Sequence, residues 1–178
     1  MKKVLLVLLT LLVFSSMASF AQGFRNGSKT LNAGIGFGFA GIEGSATIPP
    51  ISVGYQVGIT DKISVGGIVC YSGSSYKASF GASSYEWKYS YIVLGARGEY
   101  HFMEPSDKLD LYAGLTLGYD IVSVTTPSGT FSGYSAAGSE FFVGGHVGAR
   151  YAVSNSWGGF GELGYGIGYL TVGAYFKL

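Results

Sequence analysis

The chain has 178 residues, of which 12% are charged, 48% hydrophobic and 16% aromatic; an ordinary soluble domain carries roughly 25% charged residues, so this one has too few to cover a water-facing surface in the usual way. Formal net charge is +1, and loss of Lys2 and Lys3 with the leader described next makes it 1 − 2 = −1, which leaves no basic footprint for nucleic acid. Cys70 is the single cysteine, so an intrachain disulfide framework is excluded.

The first predicted element is a secretory signal peptide. Lys2-Lys3, the apolar run Val4 to Phe14 and the small residues Ser15, Ser16, Ser19 and Ala21 follow its three-part pattern. The run is too short to serve as a mature membrane helix. Cleavage between Ala21 and Gln22 is expected, giving a leader over 1–21 and a mature chain over 22–178, with no cysteine placed for a lipid anchor. Beyond it, Gly, Ser and Thr interrupt every apolar stretch before about 18 residues accumulate. Backbone polar groups in lipid must be satisfied within the protein, so a spanning chain without such helices has to form a closed barrel.

Alternation with a period of two supplies the strands in chain order. Over 30–41, Leu31, Ile35, Phe37 and Phe39 share one face, and Asn32, Gly34, Gly36 and Gly38 the other. Over 51–60, Ile51, Val53, Tyr55, Val57 and Ile59 alternate with Ser52, Gly54, Gln56, Gly58 and Thr60. Asp61-Lys62 is a two-residue turn, and 63–72 resumes with Ile63, Val65, Val69 and Tyr71 outward. A fourth strand at 87–102 sets Ile92, Leu94, Ala96, Tyr100 and Phe102 against Arg97, Glu99 and His101. A fifth, starting at Leu109 and reaching Ile121, alternates Leu111, Leu115, Leu117 and Tyr119 with Asp110, Tyr112, Thr116 and Asp120. The sixth, 139–152, sets Phe141, Val143, Val147 and Tyr151 against Glu140, His146 and Arg150; the seventh, 157–166, has Leu163 and Tyr165 outward and Glu162 inward. The last, 169–178, alternates Leu170, Val172, Ala174, Phe176 and Leu178 with Thr171, Tyr175 and Lys177. The expected fold is all-β, an eight-stranded antiparallel up-and-down transmembrane β-barrel.

Connections expected at 42–50, 73–86 and 123–138 are long, while 61–62, 103–108 and 153–156 are shorter, the asymmetry of outer-membrane barrels with short periplasmic turns and longer external loops. The glycine-bearing face must point inward. A water-facing surface built on Gly34, Gly36, Gly38, Gly54 and Gly58 would lose strand propensity and gain no solubility, which argues against a soluble, lipocalin-like barrel. That places Arg97, Glu99, His101, Asp110, Asp120, Glu140, His146, Arg150, Glu162 and Lys177 in the lumen or its mouths. The opposite assignment would put Arg or Lys at the lipid midplane at about 2–4 kcal/mol each. Arg97, Glu99 and Glu162 lie at comparable distances from short turns, so they are expected to form an ion-pair network that plugs the lumen, with His101, His146 and Arg150 beside it. Tyr55, Tyr71, Tyr100, Phe102, Tyr119 and Tyr151 fit interfacial girdles. In the loop before the fourth strand, Tyr76, Phe80, Tyr85 and Trp87 stand among small residues whose partial alternation suggests a hairpin continuing above the membrane, an edge able to recruit a partner strand.

Over 22–178 the chain resembles the OmpA/OmpX-type small outer-membrane barrels and the related porin-like barrel domains of Gram-negative bacteria. The best local match is the carboxy-terminal strand, alternating back from the end; the family usually ends in Phe, whereas this chain ends in Leu178 with Phe176 two residues earlier. The resemblance implies a cell outer-membrane location, contact with outer-membrane lipid and lipopolysaccharide, insertion by the barrel-assembly machinery through that strand, and a monomer. Barrel deacylases of lipid A share a His-x-Ser pairing, which His101-Phe102-Met103 and His146-Val147-Gly148 do not match. No zinc or calcium spacing is found, and Gly34-Ile35-Gly36-Phe37-Gly38 lacks the Lys and helix of a phosphate loop. No catalytic residue, metal or cofactor is therefore expected. The expected function is a non-enzymatic barrel with a structural or adhesive role through its external loops and an extracellular protein partner; a narrow, OmpW-like channel or carrier for small apolar molecules and a lipid A-modifying enzyme are the alternatives.

Overall fold

A computed structural model describes residues 24–38, 45–80, 83–105, 107–125 and 138–178. Eight strands run in sequence order: β1 Lys29–Phe37, β2 Ser45–Gly58, β3 Ile63–Phe80, β4 Ser83–His101, β5 Leu109–Thr125, β6 Ser139–Ala152, β7 Trp157–Tyr165 and β8 Leu170–Lys177. Each pairs antiparallel with the next, and β1 returns to β8 from Thr30↔Lys177 to Phe37↔Leu170. The barrel is closed and no edge is left in its wall, the condition a sheet must meet in lipid. The expected leader, 1–21, and Phe39 lie outside the described residues.

The alternation in sequence becomes two faces. Outward, the register aligns Leu31, Tyr55, Gly67, Ala96, Leu117 and Val143 in one row around the wall, and Leu117 is 63% exposed, Phe141 85%. Inward, Thr30, Asn32, Ser52, Gln56, Ser64, Arg97, Glu99, His101, Asp110, Arg150 and Glu162 are buried. The interior is inverted relative to a soluble protein. Glycines on the inner face make room for larger neighbours: a Cβ at Gly148 would lie 2.5 Å from the Tyr112 ring, and one at Gly118 would overlap Phe142.

At the short-turn end, Thr60 Oγ1 accepts from the Lys62 and Ile63 amides, and Lys62 reaches Glu104 of the next turn at 3.4 Å. The amino-terminal segment folds in here: Gly27, at φ +75°, donates to the Gly58 carbonyl while the Asn26 amide bonds Asp61. That left-handed conformation suits glycine and carries Phe24 under the barrel.

The opposite end corrects three expected connections. The connection at 42–50 contains strand from Ser45 on, because a bulged register around Pro49-Pro50 accommodates residues that cannot donate to a ladder. The hairpin expected around Tyr76 and Trp87 is present, pairing as far as Phe80↔Ser83, and shortens the long connection placed at 73–86, while β5 runs to Thr125 rather than stopping near Ile121. Among the described residues, β2 leaves β3 at Ser45↔Ser75 and β5 leaves β4 at Lys88↔Thr125. Beyond those points, among the described residues, 76–80 and 83–87 pair with each other.

Candidate functional site: a polar plug across the lumen

Barrel closure brings inward side chains of non-adjacent strands face to face. Arg97 on β4 donates from Nη2 to Glu162 of β7 at 2.9 Å, and its Nε lies 3.9 Å from Glu99 two residues along the same face. Glu99 is the hub. It accepts from Arg150 of β6 at 2.9 Å, from Gln56 Nε2 of β2 at 2.5 Å, and lies 3.2 Å from His146 Nε2. Glu162 also accepts from the Tyr112 hydroxyl at 2.8 Å, and the Arg150 guanidinium lies over the Tyr112 ring at 4.3 Å. Arg150 further donates to Gln56 Oε1 at 3.1 Å.

Each member is thereby held from at least two directions. Glu99 and Arg150 are each 2% exposed; an isolated charge buried that deeply would be prohibitive, and charge-assisted bonds from several strands are what make it tolerable. Two guanidiniums face three carboxylates, Glu99, Glu162 and Asp110. Next to this layer, among the described residues, lie cavities of about 20 Å³ and 10 Å³, room for roughly one water each.

The structure thus brings together Arg97, Glu99, His101, His146, Arg150 and Glu162. It adds residues that sequence reasoning did not select. Gln56 and Tyr112 fall on the inward parity in the sequence, but nothing there says that they bond Glu99 and Glu162. Ser64, between outward Ile63 and Val65, also falls on the inward parity without a named partner, whereas Phe24 gave no signal at all. Phe24 stacks flat on the His101 ring at 3.8 Å between centroids. Of the external set, Tyr76 and Trp87 pack ring against ring at 6.0 Å, and Lys77 and Glu86 pair at 4.0 Å; Phe80 and Tyr85 lie in the hairpin strands, their side chains outside the described residues. Asp120 and Glu140 face each other across β5 and β6, with Glu140 exposed, at the mouth rather than in the plug.

Two chemical constellations arise within the plug. Ser64 Oγ lies 3.0 Å from His101 Nε2, whose Nδ1 lies 2.8 Å from Asp110, the order of a nucleophile, base and orienting carboxylate. Ser64 and His101 are sealed, however, and Phe24 covers the imidazole; no substrate carbonyl can approach, and the chain of bonds continues from Ser64 to Gln56 as part of the plug. Glu99, His146 and Glu162 present ligand atoms within 4.8 Å of one another. Arg97 and Arg150 already fill the cationic role there, so a metal ion would have to displace them.

No protein-family model and no curated protein matches the sequence. The fold is that of the small eight-stranded outer-membrane barrels. Among solved structures, the outer membrane protein OprG of Pseudomonas aeruginosa is similar with a TM-score of 0.65, 11% identity and coverage of 89% of this chain and 99% of that one. The N-terminal barrel domain of OprF from the same organism gives 0.53 at 12% identity over 86% and 99%. Ail, the attachment invasion locus protein of Yersinia pestis, solved with the heparin analogue sucrose octasulfate, gives 0.51 at 12% over 86% and 96%. At such identities the likeness is one of fold.

Proposed function

We propose that the chain is an integral protein of the cell outer membrane, exported by a cleaved signal peptide, that acts without enzyme chemistry through its external surface while its lumen stays shut. The observation that carries this reading is the pairing of opposites in one wall: an outer belt dominated by exposed Leu, Ile, Val and aromatic residues, and an ionic layer buried in the interior. A water-soluble barrel would need the reverse. Outer-membrane lipid and lipopolysaccharide cover the belt, and β8 supplies the strand read by the assembly machinery. The interaction surface is the hairpin of 76–80 and 83–87, whose ladder continues beyond its last described pairings with β2 and β5 and which carries the Tyr76–Trp87 ring pair, offered to an extracellular protein strand. Ail, a fold neighbour, is itself an attachment protein.

The sealed plug favours this role over a narrow channel, so planar bilayers carrying the protein are expected to stay silent. The primary test is membrane fractionation followed by gel comparison of boiled and unboiled samples. Expected is an outer-membrane band that shifts on boiling; a freely soluble monomer would end the proposal. Replacing 76–87 with a two-residue turn between Ser75 and Lys88, which already face each other, should retain the shift and abolish partner binding.

A further inference from the structure

At the short-turn end, the chain ahead of β1 is held unlike the wall it joins. Residues 24–28 belong to no strand; Arg25, Asn26 and Gly27 are exposed, while Phe24 is buried. The Phe24 ring is received on two sides. It lies flat on His101 of β4, and it sits over Gly58 of β2, where a Cβ would stand 2.9 Å from the ring and would overlap the Arg25 carbonyl. Glycine at 58 is a notch in the wall that fits this segment. Three bonds complete the seat: Gly27 N–H donates to the Gly58 carbonyl at 2.9 Å, Gly58 N–H to the Ser28 carbonyl at 2.8 Å, and Asn26 N–H to Asp61 at 2.9 Å. His101 is 1% exposed, with its two ring nitrogens engaged by Ser64 and Asp110. Phe24 also walls the small cavity beside Lys108 and Lys177, so it stands between His101 and the short-turn mouth.

We propose that residues 24–28 form a hinged stopper, which swings out about Gly27 while the barrel stays closed, and whose docking decides whether water at this mouth reaches His101 and the Asp110 and Ser64 groups bonded to it. Gly27, at φ +75°, supplies the hinge. The seat consists of one buried ring and a few bonds at the solvent edge, and segments held in that way open locally while the rest of the fold stays intact. The wall is held more firmly, since β1 is laddered to β2 on one side and β8 on the other. The lumen is therefore shut twice, by the ionic layer and by an aromatic ring beneath it, and the second seal opens on its own. That the stopper faces the periplasm rests on the outer-membrane reading; its opening is a property of the folded barrel and is measured in detergent.

His101 and His146 are the two histidines of the chain. Diethyl pyrocarbonate modifies an imidazole that solvent can reach, so peptide mass spectrometry after labelling reads each ring separately. In the folded barrel, Phe24→Ala should raise the labelling rate of His101 about tenfold or more, the share of docking that one buried ring supplies, while His146, inside the ionic layer, keeps its wild-type rate. An unchanged His101 rate overturns the stopper. So does an equal rise at His146, which would mean that the whole plug has loosened. Should Phe24→Ala fail to fold, Asp61→Ala, which removes the exposed acceptor of the Asn26 amide, carries the test: His101 labelling rises by a smaller factor, and no rise overturns the proposal. Hydrogen exchange on the wild-type protein gives a second readout. The Gly27 and Gly58 amides, bonded across the seat, should exchange about tenfold or more faster than those of the β1–β2 ladder; equal protection overturns local opening. A wild-type band that does not shift on boiling would sink the outer-membrane reading, whereas the stopper fails on labelling and exchange.

Discussion

The short-turn half of the barrel and the hairpin above it are made of the same two strands, β3 and β4, yet they are held in opposite ways. Below, those strands pair with a neighbour on both sides along nearly their whole length, and inward groups such as Glu99 meet partners from β2, β4 and β6. Above Ser75 and Lys88, the partners found among the described residues are each other. An isolated two-stranded ribbon is marginal in water. The difference shows where change is tolerated: the plug is over-determined by many simultaneous bonds, whereas the described contacts of the hairpin are a ladder, the Tyr76–Trp87 ring pair and the exposed Lys77–Glu86 pair.

The comparison breaks most readily at its hub. Glu99→Leu leaves Arg150 buried without its 2.9 Å partner, and loss of one member of a buried ionic set costs about 3–5 kcal/mol; urea unfolding in detergent should show this, and a change under about 1 kcal/mol would mean that the plug is not stabilised as described. Leu117→Lys probes the outer face at the same strand level. At 63% exposure toward lipid the charge should cost about 2–4 kcal/mol in a bilayer, read as reduced folding yield in vesicles; a neutral outcome would place that face in water. Gly148→Val forces the Tyr112 ring away from a point 2.5 Å from the new Cβ and should cost about 1–3 kcal/mol by overpacking, as the Tyr112 hydroxyl is pulled off Glu162; the same urea titration reads it. The smallest effect belongs to the hairpin. Lys77→Ala, which removes an exposed pair at 4.0 Å, should shift stability by no more than about 0.5 kcal/mol, so any larger change would contradict a loosely held extension.

Parity made most of the architecture legible. Once alternation was followed from Leu31 to Leu178, eight strands and the inward position of Arg97, Glu99, His101, His146, Arg150 and Glu162 followed from geometry alone, since side chains two residues apart share a face. The extent of the strands at the long-loop end did not. The stretch 42–50 reads as a connection, yet pairing with β3 extends β2 back to Ser45 across Pro49-Pro50, because ladder bonds and cross-strand contacts, not intrinsic propensity, hold a strand; the hairpin around Tyr76 and Trp87 was legible in its partial alternation, though not its length. Phe24 was unreadable for a related reason: its place against His101 depends on a turn at Gly27 and on the amides of Asn26 and Gly27 finding Asp61 and Gly58.

By itself, then, the sequence determined the wall: how many strands, which face is greasy, and which ionisable groups are enclosed. Only the tertiary structure decided who meets whom across the lumen, that Glu99 rather than Glu162 is the hub, and that Ser64 and Gln56 complete it. The reason is physical. Alternation sets depth and direction strand by strand, but the contacts across a barrel are fixed by its stagger and closure, which arise only when β1 and β8 join.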